Sequence, residues 1–107
     1  ARVDSVQVLI FDEIGIGISG RVAEVVGKSL KRLSGSYQTI SITHLPQIAK
    51  MADVHFSVRK GERKGRTVTH VEPLNQEARV EELAKLLGGE EISEVTVRHA
   101  REMLGEA

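Results

Sequence analysis

The chain opens on a run of apolar residues from Val6 to Phe11 that is almost unbroken, the pattern of a strand covered on both faces. Gly15, Gly17 and Gly20 interrupt it. From Arg21 to Leu33 the apolar positions Val22, Val25, Val26, Leu30 and Leu33 recur at helical spacing, and Ser34-Gly35 closes that helix. Gln38 to Thr43 is rich in β-branched residues and predicts a second strand. Strand, helix and strand in this order make a βαβ crossover with parallel strands. Pro46 suits the first turn of a short helix reaching about Ala52.

The period then changes. Val54 to Lys60 and Arg66 to Glu72 alternate, with Gly61 and Gly65 bracketing a polar turn, which predicts an antiparallel hairpin. Asn75 is placed to cap a helix whose stripe is Val80, Leu83, Ala84 and Leu87, closed by Gly88-Gly89. A last helix is expected from about Ser93 to Leu104. There is no repeat, low-complexity stretch or linker. The expectation is a single α/β unit over 1–107 with no internal boundary: a parallel βαβ pair, a hairpin and two C-terminal helices.

Composition narrows what this unit does. At 107 residues it would bury roughly two-thirds of its unfolded surface, enough for one modest core. Phe11, Tyr37 and Phe56 are the only aromatics, so base stacking is poorly supplied. Lys plus Arg equals Asp plus Glu, at 15 each, and no overall field draws the chain to DNA or membranes. The exception is local, the basic cluster Arg59, Lys60, Arg63, Lys64 and Arg66. Without cysteine there are neither disulfides nor thiolate metal sites, which fits a reducing compartment. No apolar run approaches the ~20 residues of a membrane span, and no signal peptide is visible. The start at a strand reads as that of a fragment.

The candidate chemistry gathers at the strand ends. The first strand runs into Asp12-Glu13 and the second into Thr43-His44. In open parallel sheets ligands sit beyond the carboxyl ends of strands. Neighbours on an extended chain point different ways, so the two carboxylates would divide tasks, one serving Mg²⁺ through water and the other activating an attacking water. A histidine alongside could contact the terminal phosphate or hold that water. This division matches phosphoryl transfer from a nucleoside triphosphate. An acidic pair past a buried strand is also an ordinary surface feature.

Several segments together resemble one family. Val8-Leu9-Ile10-Phe11-Asp12-Glu13 looks like a Walker B motif with its catalytic glutamate, and Gly17-Ile18-Ser19-Gly20 resembles the end of a D-loop. Thr43-His44-Leu45-Pro46-Gln47-Ile48-Ala49 is similar to a switch-histidine segment. Glu82 to Gly89 and His99 to Leu104 complete a likeness to RecN, the SMC-like ABC ATPases of bacterial DNA repair and recombination. The resemblance implies part of a P-loop NTPase lobe, ABC/SMC-head-like, using ATP and Mg²⁺. Asp12 would assist the metal, Glu13 would be the hydrolytic base and His44 would sense the γ-phosphate. Gly17, Ser19, Gly20 and Gln47 would lie against nucleotide. It implies as partners the N-terminal half of the same head, a second head in an ATP-sandwiched homodimer, and DNA, with no membrane and a cytoplasmic, nucleoid-associated setting. Gly15-Ile16 departs from the family's usual Asp and small residue, at the segment through which two heads would communicate.

Two decoys and one gap complete the reading. Gly15, Gly17 and Gly20 spell GxGxxG between strand and helix, so a Rossmann-type dinucleotide binder is an alternative. Asp12 and Glu13 would repel its pyrophosphate, and His44 stands where an acidic ribose contact belongs. A non-catalytic assembly module is the other alternative. Gly27-Lys28-Ser29 looks like the end of a Walker A loop but lies inside a predicted helix, with Val22 where the motif needs glycine. No LSGG-like signature occurs. The chain by itself is therefore expected to be inactive, with ATPase activity belonging to a complete protein. His55, His70 and His99 lack metal spacing, with His99 expected to flank the core; Met51 and Met103 read as packing residues, and the basic turn as a solvated tip or a phosphate contact.

Overall fold

The computed structural model describes residues 8–12, 17–89 and 91–106. They belong to two compact units, 1–52 and 53–107. In the first, β1 (Val8–Asp12), α1 (Gly20–Leu33) and β2 (Gln38–Ile42) form the expected crossover, followed by a single turn, α2 (Pro46–Ala49). β1 and β2 pair in parallel, Val8 opposite Gln38 through to Asp12 opposite Ile42.

The strand run was expected to be covered on both faces, and among the described residues it is not. Ile10 is 67% exposed, and Val8, Ile40 and Ile42 are exposed on the same side of the pair. Leu9, Phe11 and Thr39, on the other side, are half-buried. A pair of strands with one crossover helix has nothing to lay over its second face.

The buried face of α1 also differs from the expected valine stripe. Val22, Val25 and Leu33 are exposed, while Ala23, Gly27 and Leu30 are buried. Small residues win because α2 lies close: a Cβ on Gly27 would come within 2.7 Å of the Gln47 carbonyl oxygen. Ile48 and Ala49 bury themselves in the same core. Lys50 donates to Glu24 at 2.6 Å, joining the two helices by a half-buried ion pair. The Gly27-Lys28-Ser29 tripeptide is thus helix interior, as its context implied.

In the second unit β3 (Phe56–Arg63) and β4 (Arg66–Pro73) make an antiparallel ribbon of eight residues a side. The turn is tighter than the two bracketing glycines suggested. Gly61 continues the strand, and Lys64 and Gly65 alone make the turn, with φ of 54° and 75°, the signature of a type I′ connection. α3 (Gln76–Gly88) starts where Asn75 accepts a hydrogen bond from the Ala78 amide at 2.8 Å, and ends at Gly89, whose φ is 67°. In α4 (Glu94–Met103) Ser93 caps in the same way. The core is Val80, Leu83 and Ala84 of α3 with Ala100 of α4, Leu83 being wholly buried. Burial of such a leucine contributes roughly 2–3 kcal/mol. His99, expected beside that core, is exposed, because Ala100 is the residue α4 turns inward. Met51 and Met103 are half-buried, in keeping with packing roles.

Arg101 ties the two helices at their surface. Its guanidinium donates to both Glu77 oxygens, at 3.0 and 2.9 Å, and to Glu106 at 3.4 Å. The hydrogen bonds and charge of Arg101 hold the Glu77 carboxyl below its ordinary value.

Candidate functional site

Parallel pairing fixes which ends of β1 and β2 coincide. Asp12, exposed at the carboxyl end of β1, stands opposite Ile42, and His44 follows Ile42 by two residues. Both therefore leave the sheet at the same end. The turn between them and α2 is set by Thr43, whose hydroxyl accepts a hydrogen bond from the Leu45 amide at 3.1 Å. His44, at the centre of that turn, is exposed. Glu13, with Gly15 and Ile16, lies outside the described residues.

The start of α1 lies close to α2. Gly17 takes φ of 78°, a left-handed conformation that suits glycine. Ser19 then caps α1, accepting from the Val22 amide at 3.3 Å. Gly20 begins the helix against Gln47: a Cβ there would lie 3.1 Å from the Gln47 amide nitrogen, Nε2. The structure thus brings together Gly20 with Gln47, and Asp12 with the segment that bears His44.

Residues outside the predicted set hold this arrangement. Ala23 and Gly27, on the same stripe of α1 as Gly20, let α2 approach, and Glu24 grips Lys50 just past it. The signal was present in the sequence as small residues at helical spacing (20, 23, 27), masked by the more conspicuous valines beside them.

The donor set limits the chemistry. Among the described residues no three His, Asp or Glu side chains gather as a metal cage. A single carboxylate suits Mg²⁺, which keeps several waters and takes one or two carboxylates with substrate phosphates. The site is open, carries an acidic and an imidazole group at adjacent strand ends, and has no described backbone cradle for a polyphosphate.

No protein-family profile matches the chain. Among curated proteins, the DNA repair protein RecN of Bacillus subtilis (strain 168) is 42% identical over 99 residues, covering 92% of this chain and 17% of that protein. RecN of Vibrio cholerae is 48% identical over 96 residues, 90% of this chain and 17% of the relative. RecN of Haemophilus influenzae is 46% identical over 100 residues, 94% and 18%. The chain therefore spans less than a fifth of the length of the relatives it matches. A solved structure from work on the structural biochemistry of ATP-driven dimerization and DNA-stimulated activation of SMC ATPases matches with a TM-score of 0.65. Its identity is 23%, over 82% of this chain and 52% of that one. That likeness concerns the fold alone, an α/β arrangement shared with part of that chain.

Proposed function

We propose, on the premise that this chain is homologous to one segment of the DNA repair protein RecN, that it serves as the Walker B and switch-histidine part of a RecN-like ATPase head acting in DNA double-strand-break repair and recombination. The observation that carries the reading is the parallel register, which sets Asp12 and the His44 turn at one end of neighbouring strands.

In this reading Asp12 holds Mg²⁺ through water, and Glu13, next along the chain, accepts the proton of the attacking water. Bound Mg²⁺ would supply charge neutralisation at the β- and γ-phosphates. His44, held in its turn by Thr43, contacts the γ-phosphate, and Gln47, seated against Gly20, couples that turn to the loop of Gly17, Ser19 and Gly20. The loop faces a second head across shared nucleotide. Walker A and the signature belong to other parts of the longer protein, so 1–107 acts as a single functional portion of the head and is inactive by itself. The exposed side formed by Val8, Ile10, Ile40 and Ile42 supports this division, since a parallel pair open on one face calls for cover from the remainder of the head. No helix among the described residues is long and apolar enough to cross a membrane. The proposed setting is cytoplasmic, at the nucleoid.

The test uses the complete head. Glu13→Gln should leave nucleotide binding intact and lower turnover by about 10²-fold or more, the usual scale of a general base. ATP should then hold two heads together, read by light scattering. Asp12→Asn should instead weaken Mg²⁺-dependent binding. ATP hydrolysis by Glu13→Gln at the parental rate refutes the assignment.

A further inference from the structure

The hairpin tip carries a dense cluster of positive charge, and the proposed hydrolytic site makes no use of it. Between Arg59 and Arg66 five of eight residues are cationic against one carboxylate, in a chain whose formal net charge is zero. Register sorts them. Arg59, Arg63 and Arg66 share one face of the ribbon, and Arg59 is already engaged by Glu72. Arg63 stands directly opposite Arg66, with Lys64 in the turn between them.

That arrangement is unfavourable on its own terms. Like charges directly opposite in an antiparallel pair destabilise it, by the few tenths to about 1 kcal/mol that cross-strand pairs are worth. Lys64 adds the cost of a left-handed backbone, φ 54°, in a residue other than glycine. No described carboxylate lies within ion-pair distance of Arg63, Lys64 or Arg66. The three cations and Val68 lie together on the open surface of the tip. A multiply charged anion there would relieve the repulsion the sequence builds in.

We propose that this basic tip binds the sugar-phosphate backbone of duplex DNA, through Arg63, Lys64 and Arg66. The inference rests on the RecN-like reading for its choice of nucleic acid and on the ribbon for its geometry. A two-stranded β-ribbon about 25 Å long fits a DNA groove, and phosphate contact needs no base readout. From Arg59 to Arg66 there is no aromatic side chain to stack on unpaired bases and no large apolar one to enter a lipid interface.

The experiment follows anisotropy of a fluorescein-labelled, mixed-sequence duplex titrated with the chain over a range of NaCl, without nucleotide. The variant Arg63→Gln/Lys64→Asn/Arg66→Gln keeps the turn, since asparagine accepts the left-handed conformation. It should fold at least as stably as the parent, checked by thermal unfolding. Its affinity at low salt should fall about tenfold or more, and the slope of log affinity against log salt should flatten by roughly 3, near 0.9 for each phosphate that the variant leaves unneutralised. Arg63→Lys/Arg66→Lys, which keeps the charges, should bind like the parent. So should Arg21→Gln/Lys28→Gln/Arg98→Gln, which removes equal charge elsewhere.

Parental affinity and slope in the hairpin variant overturn the proposal, as does equal weakening in the distant-charge control. Binding to phosphatidylserine vesicles but not to duplex overturns it in favour of a membrane surface. Should duplex binding depend on the hairpin while Glu13→Gln hydrolyses ATP normally, the ATPase reading falls and this site stands. The reverse pair of results removes the site alone.

Discussion

Replacing Gly27 by alanine sets two effects of known sign against each other. In mid-helix, alanine is favoured over glycine by about 1 kcal/mol, from backbone entropy and helix propensity. Packing opposes it. The added methyl would lie 2.7 Å from the Gln47 carbonyl oxygen, 3.3 Å from Met51 Cγ and 3.5 Å from Ile48 Cα. Met51 can swing away, but the carbonyl is backbone and moves only if α2 moves. Restoring an ordinary contact of 3.4 Å requires a retreat of about 0.7 Å, against the Lys50–Glu24 pair that draws the helices together. An inserted methyl in a well-packed core typically costs 1–3 kcal/mol. The clash therefore wins, with a net loss of about 1 kcal/mol, or roughly 4–8 °C in Tm for a small domain. Thermal unfolding followed by circular dichroism measures it. Gly61→Ala is the contrast, because a Cβ there meets nothing within 4 Å. A Tm raised by Gly27→Ala, as propensity alone demands, refutes the close approach of α1 and α2.

Three further outcomes follow from the second unit. Leu83→Ala should destabilise by about 2–5 kcal/mol, seen as a lower urea midpoint at unchanged slope, since Leu83 is wholly buried. Burial, with the Arg79 guanidinium nearby, holds His55 below its ordinary 6.5, Glu82 opposing, and buried Nδ1 has no hydrogen-bond partner. A depressed folded value means the unfolded chain takes up the proton first, so stability should be full above about pH 6.5 and fall as pH drops through the folded value. His55→Gln should flatten that part of the urea-midpoint profile. Glu77, lowered chiefly by the Arg101 hydrogen bonds, should contribute fully above its ordinary 4.5 and lose its effect on further acidification; Arg101→Met should abolish this acid-side loss.

The elements were readable because local signals agreed with one another. Asn75, Ser93 and Gly89 cap where their chemistry suits, and the β-branched run at Gln38 pairs with β1 in parallel as a crossover demands. What periodicity could not reveal was which apolar residues find a partner. The valines of α1 mark a stripe, yet Ala23 and Gly27 are the ones pressed inward, because how closely two helices approach is a tertiary property. The turn at Lys64 is illegible for a related reason. Gly61 and Gly65 look alike in sequence, but only Gly65 adopts positive φ. At the site, Asp12 and His44 were legible as strand-end residues, whereas the contact of Gln47 with Gly20 depends on where α2 sits.

The open side of the parallel pair also governs how this chain behaves in a tube. Ile10 and its neighbours are exposed on a face of a sheet that has two strands among the described residues, and strand edges without neighbours recruit strands from other molecules. Such stickiness is normally countered by charge repulsion between copies, yet the formal net charge at pH 7 is zero. By itself, the chain will be least soluble near neutrality. Mild alkalinity should disperse it more gently than acid, which protonates half-buried His55 and weakens the fold.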